Sequence, residues 1–420
     1  MSHMLEDLEY RGLLFQITDR DELARLLDEQ SISLYVGFDP TADSLHIGSL
    51  LPILTLRRFQ LAGHKPIAVV GGATGLIGDP SGRKSERTLN SPEVVEGWTE
   101  KIQNQLSRFI DFERSENKGQ VVNNLDWSKF MTVIEFLRDV GKNFSVNTML
   151  SRESVATRLE GGISFTEFSY MLLQANDFLE LFNRHDCVLQ IGGSDQWGNI
   201  VAGIDLIRRV TGQQGYGLTL PLVTKADGTK FGKTESGAVW LDETKTSVYQ
   251  FYQFWVNTGD EDVIRFLKYF TFLSREEIDE LEQEVQTNPG GRKAQKVLAE
   301  QITALVHGKA ETERAIHMSG VLFSGNIEGL TVTELQDVFQ GVPSTVIAAG
   351  DPMDIVSLLV ASGACTSRRQ AREDVTNGAV SVNGVRVTDV ERTFGREDMF
   401  GSEYLVFRRG KKKYFLLKFE

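Results

Sequence analysis

The sequence predicts an α/β protein in three parts: a doubly wound parallel-sheet domain, an all-helical middle domain and a small α+β domain at the C-terminus. Three observations predict it. Strand-like and helix-like stretches alternate from about residue 30 to residue 225, and from about residue 247 the signals are those of helices alone. The last 70 residues carry 12 Lys/Arg and 10 Asp/Glu, a net +2, against −15 for the other 350. The expected boundaries are 1–247, with a largely helical insertion near 85–160, then 248–325, a linker at 326–350, and 351–420.

Ile32-Ser33-Leu34-Tyr35-Val36-Gly37-Phe38 reads as a buried strand, broken by Asp39-Pro40-Thr41. From Gly48, the apolar residues Leu50, Leu51, Ile53, Leu54 and Leu56 follow helical spacing up to Gly63. Pro66-Ile67-Ala68-Val69-Val70 is a second short strand, ending in Gly71-Gly72. Strand, helix, strand at this length is a βαβ unit, hence a parallel sheet. The pattern returns where Val188-Leu189-Gln190-Ile191 ends in Gly192-Gly193, a helix-like stretch follows, and Leu218-Thr219-Leu220 is again a strand.

Further on, Val248 to Trp255 is rich in aromatics, and Ser274-Arg275-Glu276-Glu277 is a capping box that opens a helix through Val285. Asn288-Pro289-Gly290-Gly291 breaks that helix; Lys293 to Val306 is another, closed by Gly308. After a loose stretch from Gly341 to Pro352, Ser367 caps a helix through Arg372, and Asn377-Gly378 ends it. Val380-Ser381-Val382-Asn383-Gly384-Val385-Arg386-Val387 alternates as strand, Asn-Gly turn, strand.

The composition, 41% hydrophobic and 25% charged over 420 residues, excludes wholesale disorder and a fibrous protein. No uninterrupted apolar run approaches the roughly 20 residues of a membrane span. The N-terminus has no apolar signal core, and Met1-Ser2-His3-Met4 is set aside as a cloning scar, so a cytoplasmic protein is expected. Two cysteines, Cys187 and Cys365, lie far apart with no Cys-x-x-Cys, which gives a disulfide framework or a structural zinc site little support. A net charge of −13 argues against a general nucleic-acid coat protein but leaves room for a local basic patch.

Four constellations carry chemistry. His46-Ile47-Gly48 stands between the first strand and its helix, where free N–H groups and the positive dipole end suit phosphate; alone, His46 reads as a surface residue. Gly71-Gly72-Ala73-Thr74-Gly75-Leu76-Ile77-Gly78-Asp79 follows a strand without the dinucleotide spacing, and reads equally as a ligand loop or a tight crossing. Gly192-Gly193-Ser194-Asp195-Gln196 offers a carboxylate to a ribose diol, or is ordinary loop chemistry. Lys230-Phe231-Gly232-Lys233-Thr234 places two lysines about a glycine, able to meet phosphates or simply solvated.

In this order the set resembles the class I aminoacyl-tRNA synthetases, and among them the bacterial tyrosyl-tRNA synthetase family. Tyr35 to Gly48 is similar to the stretch around that family's H-I-G-H signature, and Lys230 to Thr234 to its form of K-M-S-K-S. Gly72 to Pro80 and Gln190 to Asn199 match closely, and the resemblance runs from about Leu8 to the C-terminus. One departure stands out: the first signature ends in Ser49, not His.

The resemblance implies a Rossmann-like catalytic domain, a helical anticodon-side domain and an S4-like RNA-binding domain. It implies attack of L-tyrosine on the α-phosphate of ATP, giving tyrosyl-adenylate and pyrophosphate, then transfer of tyrosine to the terminal ribose of tRNA(Tyr). ATP is a substrate, Mg2+ is carried by the nucleotide, and no protein metal site is expected. Thr41 and His46 would stabilise the leaving pyrophosphate, with Arg83, Arg87, Lys230, Lys233 and Thr234 closing over it. Asp39, Gly48, Ser49, Gly193, Asp195 and Lys233 would meet ATP. Tyr35 and Asp177 would bond the substrate phenol, and Asp79, Tyr170 and Gln174 its ammonium. Gln196 would lie near the carboxylate, with Asn124 and Trp127 supporting the pocket. Tyr170, Gln174 and Asp177 share a helical face amid apolar Phe168, Met171, Leu172, Leu173 and Phe178.

In the C-terminal domain Arg368, Arg369 and Arg372, with the basic turn Arg408, Arg409, Lys411, Lys412 and Lys413, would contact RNA. The turn is flanked by Tyr404–Phe407 and Tyr414–Leu417, which read as paired strands. Members of the family are homodimers, with the interface near Phe136 to Met149. The rivals are a tryptophanyl-tRNA synthetase or nucleotidylyltransferase on the same scaffold, and a non-catalytic RNA-binding protein that retains a synthetase fold.

Overall fold

A computed structural model describes residues 3–82, 85, 86, 88–113, 116–229, 231–234, 237–324, 327–340, 342, 344–347, 353–401, 403–410 and 413–419. The chain forms two compact units, one of residues 1–242 and 258–298, the other of 243–257 and 299–420.

The first unit is built on a six-stranded sheet: β1 (Gln16–Ile17), β2 (Ser33–Phe38), β3 (Lys65–Val70), β4 (Gln120–Asn123), β5 (Cys187–Gly193) and β6 (Tyr216–Leu220), in the order β1-β6-β5-β2-β3-β4. β2 to β6 are parallel, and β1 adds an antiparallel edge through Gln16 opposite Thr219 and Ile17 opposite Leu218. Strand alternation sends Tyr35, Ile67 and Val69 to one face, where they join a buried cluster with Met171, Phe178 and Leu181 of the helix Phe165–His185 and Ile200, Ile204 and Ile207 of the helix Trp197–Thr211. The helix Leu50–Leu61, with Leu50, Ile53, Leu54 and Phe59 buried, packs on β2 and β3.

Some expectations need correction. Residues 85–160, expected as a largely helical insertion, hold mostly helices, but they are not purely an insertion: they include β4, which pairs with β3 in register from Ile67 opposite Gln120 to Val70 opposite Asn123. The strand is four residues long and flanked by polar residues, so its long-range partner, not its local pattern, decides its state. Met4, set aside with the scar, is buried in the first helix, His3–Tyr10. Residues 248–325, expected as one domain, are divided between the two units. The helix Asp260–Phe270 belongs to the first, because the Arg11 guanidinium donates to the carbonyls of Lys268 and Thr271 (3.2 Å each) and Leu273 (2.8 Å) at its C-terminal end.

In the second unit the helix Val248–Val256 packs on the helix Lys309–Ser324. The stretch expected as a linker holds the capped helix Val332–Val338 and the strand Ser344–Ile347. That strand lies parallel to Lys413–Phe419 at the edge of a five-stranded sheet. Behind it run Tyr404–Arg409, Val380–Val382 and Val385–Val387, each antiparallel to its neighbour. Asn383 and Gly384, at φ +49° and +86°, form the expected tight turn. The helices Ile355–Ala361 and Arg368–Thr376 bury Leu358, Leu359, Ala371 and Val375 against Val380, Leu405, Phe407 and Leu417. Among the described residues no helix is long and apolar enough to cross a membrane.

Candidate functional site

β2 and β5 are neighbours at the point where strand order reverses, the place where an open parallel sheet leaves a crevice beyond its carboxyl ends. A cleft of about 360 Å³ opens there. Its lining joins stretches far apart in sequence: Tyr35, Asp39 and Thr41; His46, Gly48 and Ser49; Thr74 and Asp79; Asn124; Tyr170, Gln174 and Asp177; Gln190, Gly193, Asp195 and Gln196.

The closed end is polar and buried. Tyr35 and Gln190 are register partners on adjacent strands, so their side chains lie side by side. Both are buried, and neither the Tyr35 hydroxyl nor the Gln190 Oε1 has a hydrogen-bond partner among the described residues. Asp177 faces them from the helix Phe165–His185. Its two oxygens accept from Trp127 Nε1 at 2.8 Å and Asn124 Nδ2 at 2.9 Å. Burial pushes the Asp177 carboxyl up to about 7 despite those bonds. The Tyr35 phenol is raised as well, by burial and then by the Asp177 charge.

A continuous network leads from there to the mouth. Asn124 Nδ2 also donates to Thr74 Oγ1 at 2.9 Å, and Thr74 donates to Asp39 Oδ1 at 2.6 Å. The Tyr170 hydroxyl donates to Asp39 Oδ2 at 2.7 Å. On the other wall Gln196 Nε2 donates to Asp79 Oδ2 at 2.7 Å, and Asn199 Nδ2 donates to Gln174 at 2.9 Å and Gln196 at 3.2 Å. Asp195 reaches solvent, yet the cleft walls and the Asp79 carboxylate raise its carboxyl. Gly71 keeps the network closed: a Cβ there would lie 2.0 Å from Asp39 Oδ1 and 2.4 Å from Thr74 Oγ1.

At the mouth, His46 caps the turn Ile47–Ser49, with its Nδ1 accepting from the Gly48 N–H at 3.0 Å. A neutral ring held this way carries its proton on Nε2. A Cβ on Gly48 would meet the imidazole at 2.7 Å, so this close cap requires glycine. Thr41 is exposed, and Ser49 is partly buried in the same turn. The second signature lies alongside: Ile47 N–H donates to Val239 O at 3.0 Å, and Val239 N–H to Gly232 O at 3.1 Å. The backbone of Lys233–Thr234 pairs with Gly237–Ala238. Arg83, Arg87 and Lys230 lie outside the described residues.

The C-terminal candidates divide. Arg369 and Arg372 are exposed on one helix, and Lys413 is exposed at the start of the last strand. Arg368 is also exposed but bonds Ser357 at 2.9 Å. Arg408 is half-buried on its strand. Arg409 is committed to the fold, 2.8 Å from Asp374 and donating to Ala364 O at 3.0 Å. Lys411 and Lys412 lie outside the described residues.

Thr74, Gln190, Asn199 and Leu222 stand in or beside the cleft and were not singled out from sequence. The first three stand inside the quoted motifs, where polar side chains amid glycines were the available signal. Leu222, beside Gly193, carries no signal of its own. Among the described residues no group of three or more His, Cys, Asp or Glu could hold a metal ion.

Comparison with known proteins agrees with this geometry. Residues 27–324 match the family model of the class I tRNA synthetases (W and Y), and residues 334–417 that of the tyrosine--tRNA ligase SYY-like C-terminal domain. The chain is 60% identical over 421 residues to tyrosine--tRNA ligase 1 of Bacillus licheniformis, covering 100% of each. It is 60% identical over 417 residues to tyrosine--tRNA ligase of Geobacillus stearothermophilus, covering 99% of each. A C-terminally truncated mitochondrial tyrosyl-tRNA synthetase of Aspergillus nidulans superposes with a TM-score of 0.70 at 34% identity, over 76% of this chain and 94% of that one. A cleft with a buried phenol and carboxylate at its end and the first signature at its mouth, the backbone of the second bonded beside it, together with relatives this similar over the whole length, leads to one conclusion: the chain belongs to the tyrosine--tRNA ligases, within the class I aminoacyl-tRNA synthetases.

Proposed function

We propose that the cleft joins L-tyrosine to ATP and then passes the tyrosyl group to the terminal ribose of tRNA(Tyr). The observation that carries this reading is the closed end, where the buried Tyr35 and Asp177 line the same end of the cleft. A phenol entering there accepts from the Tyr35 hydroxyl and donates to the Asp177 carboxylate. A phenylalanine ring would leave the Tyr35 hydroxyl buried and unpaired and would bring Asp177 no donor, which is the costly case. The preference of this family for tyrosine over phenylalanine is itself a well-known instance of that rule, and the cleft explains its direction rather than its size.

Asp79, Tyr170 and Gln174 hold the ammonium, and Gln196 lies by the carboxylate. Asp39 orients Tyr170 and faces the adenylate with Gly48, Gly193 and Asp195. In the first step a tyrosine carboxylate oxygen bonds to the α-phosphorus as the bond from that phosphorus to the bridging oxygen breaks, and pyrophosphate leaves with the electron pair. Negative charge grows on the leaving oxygens. Thr41, His46 through Nε2–H, Arg83, Arg87, Lys230, Lys233 and Thr234 donate to it, and such preorganised donors do the catalytic work. In the second step the oxygen of a ribose hydroxyl bonds to the tyrosyl carbonyl carbon, the bond from that carbon to the phosphate oxygen breaks, and AMP leaves with the electron pair as the hydroxyl proton is released. Magnesium enters with the nucleotide as part of the substrate.

Residues 351–420 bind the tRNA backbone through Arg368, Arg369, Arg372, Arg408, Lys411, Lys412 and Lys413, while Arg409 pins the module internally. Two copies of the chain pair through the apolar surface of Phe130, Val133, Ile134, Leu137 and Val146, which are 76%, 73%, 70%, 52% and 60% exposed in the single chain. The deciding assay is tyrosine-dependent exchange of pyrophosphate into ATP. Exchange with tyrosine and none with tryptophan supports the reading; no exchange with any amino acid would leave an RNA-binding role alone.

A further inference from the structure

We propose that Phe231 is a positioning residue for adenylate formation: its ring, seated on the helix Asp260–Phe270, fixes where the backbone of the second signature starts beside the first. This rests on the reading that Lys230, Lys233 and Thr234 act on the departing pyrophosphate.

Phe231 is 9% exposed. Its ring stacks on Phe270, with centroids 5.3 Å apart and planes at 15°, and meets Phe266 edge-on at 5.0 Å and 65°. Phe266 and Phe270 are four residues apart, on one helical face, and are themselves 2% and 0% exposed. Phe231 is the one large apolar side chain in Lys230-Phe231-Gly232-Lys233-Thr234, so its ring seats the segment on the body of the unit beside the backbone bond from Val239 N–H to Gly232 O.

The socket is in turn tied to the first signature. Arg58, on the helix Leu50–Leu61 that continues from the turn Ile47–Ser49, donates to the Thr271 carbonyl just beyond Phe270, as does Arg11. On the other side of Phe231 the chain turns sharply, Gly232 adopting φ +82°, and a Cβ there would lie 3.1 Å from Ile47 Cγ1. One aromatic side chain therefore sits between two attachments to the His46 turn. One runs through helix carbonyls; the other runs through the Gly232 backbone.

Without the ring, the backbone leading to Lys233 loses its fixed origin, and a misplacement of about 1 Å at a reacting group costs about a hundredfold in rate. Phe231→Ala should lower kcat/KM for ATP in pyrophosphate exchange about ten- to a hundredfold. The tyrosine dissociation constant should stay within about twofold, because the tyrosine end of the cleft is untouched. Phe231→Met, which refills the socket, should recover most of the loss. Phe270→Leu should reproduce part of it and add little on top of Phe231→Ala, since contacting residues are not additive. Lys233→Ala, with the ring in place, separates this idea from the reading beneath it. Native exchange in Lys233→Ala would remove that reading. A collapse in Lys233→Ala beside native ATP kinetics in Phe231→Ala would overturn the proposal alone. So would an equal loss of tyrosine affinity in Phe231→Ala, or failure of Phe231→Met to recover.

Discussion

On the proposed reading, Asp177 is one buried group that sets both binding and pH response. Two donors already hold its oxygens, yet burial pushes its carboxyl up to about 7. Between the ordinary carboxylate value of 3.8 and about 7, the folded ligand-free chain keeps a proton that the unfolded chain has released. Its contribution to stability therefore falls as pH rises through that window. A bound phenol donates to the ionised form and favours it. Tyrosine affinity should accordingly rise from roughly pH 6 to pH 8, with proton release on binding visible by calorimetry in buffers of different ionisation enthalpy. Asp177→Asn should flatten that profile and raise KM for tyrosine far more than KM for ATP. An asparagine can accept at only one terminal atom, so either Trp127 or Asn124 loses its acceptor, at roughly 1–3 kcal/mol. A tyrosine dissociation constant independent of pH in the native enzyme would remove this role.

The first signature allows a second comparison between single residues. Ser49 stands where the family pattern has histidine, in the first turn after His46. A serine hydroxyl donates and accepts as an imidazole does, over a shorter reach. One ordinary hydrogen bond is worth roughly 0.5–1.5 kcal/mol net, a factor of about 2 to 13 in rate. Ser49→Ala should slow adenylate formation by no more than that. His46 is different: the Gly48 N–H bond to Nδ1 leaves Nε2–H as the donor, and on the proposed reading that donor meets charge that grows in the transition state. His46→Ala should cost about 10²–10³ in single-turnover rate. Equal losses from the two substitutions would overturn the ranking.

At the scale of elements, the helix Phe165–His185 carries Tyr170, Gln174 and Asp177, so whatever seats its first turn seats the tyrosine end of the cleft. Ser164 caps it, and in that turn the Glu167 carboxylate accepts from the Arg158 guanidinium at 2.7 Å, with side chains 0% and 4% exposed. Breaking a buried pair from one side leaves the other charge stranded, at roughly 3–5 kcal/mol. Glu167→Ala should lower the melting temperature and raise KM for tyrosine, while Arg158→Met combined with Glu167→Leu should regain much of the stability. Unchanged melting of Glu167→Ala would show that the pair holds nothing in place.

The same scale shows what could be read from sequence. β2, β3, β5 and β6 were legible because each is an apolar run ended by a breaker or glycines, and Leu50–Leu61 because its spacing is helical. β1, β4 and the strand Ser344–Ile347 were not. They are two to four residues long, they lie at sheet edges, and their state is set by partners far away in the chain. The cleft was legible as an ordered set of motifs but not as a network. That Thr74 joins Asp39 to Asn124, or that Asn199 bridges Gln174 and Gln196, depends on side-chain directions that spacing alone does not carry.

At the scale of the whole molecule the charge is divided, −15 over the first 350 residues and +2 over the last 70. An acidic body discourages polyanions in general, so on the proposed reading productive tRNA binding would depend on the cations of the C-terminal module. The place to cut follows from the second unit's own architecture. Ser344–Ile347 pairs with Lys413–Phe419, so the sheet begins before residue 351, and a cut at 350 would leave that edge strand without its neighbour. Removal of everything after Pro343 takes the sheet away intact, although Phe339 then loses the ring of Tyr414 and Gln336 the hydroxyl of Tyr404. The cleft residues all precede that cut. The truncated chain should therefore form adenylate at close to the native rate while tRNA charging falls sharply. In the full-length enzyme, log affinity for tRNA should fall linearly with log salt, with a slope of roughly 0.7 to 0.9 per phosphate neutralised. Reversal of Arg369 or Arg372 to Glu should flatten that slope without changing pyrophosphate exchange. If the truncated chain folds and loses exchange together with charging, the first chemical step depends on the C-terminal module and the division of labour is wrong.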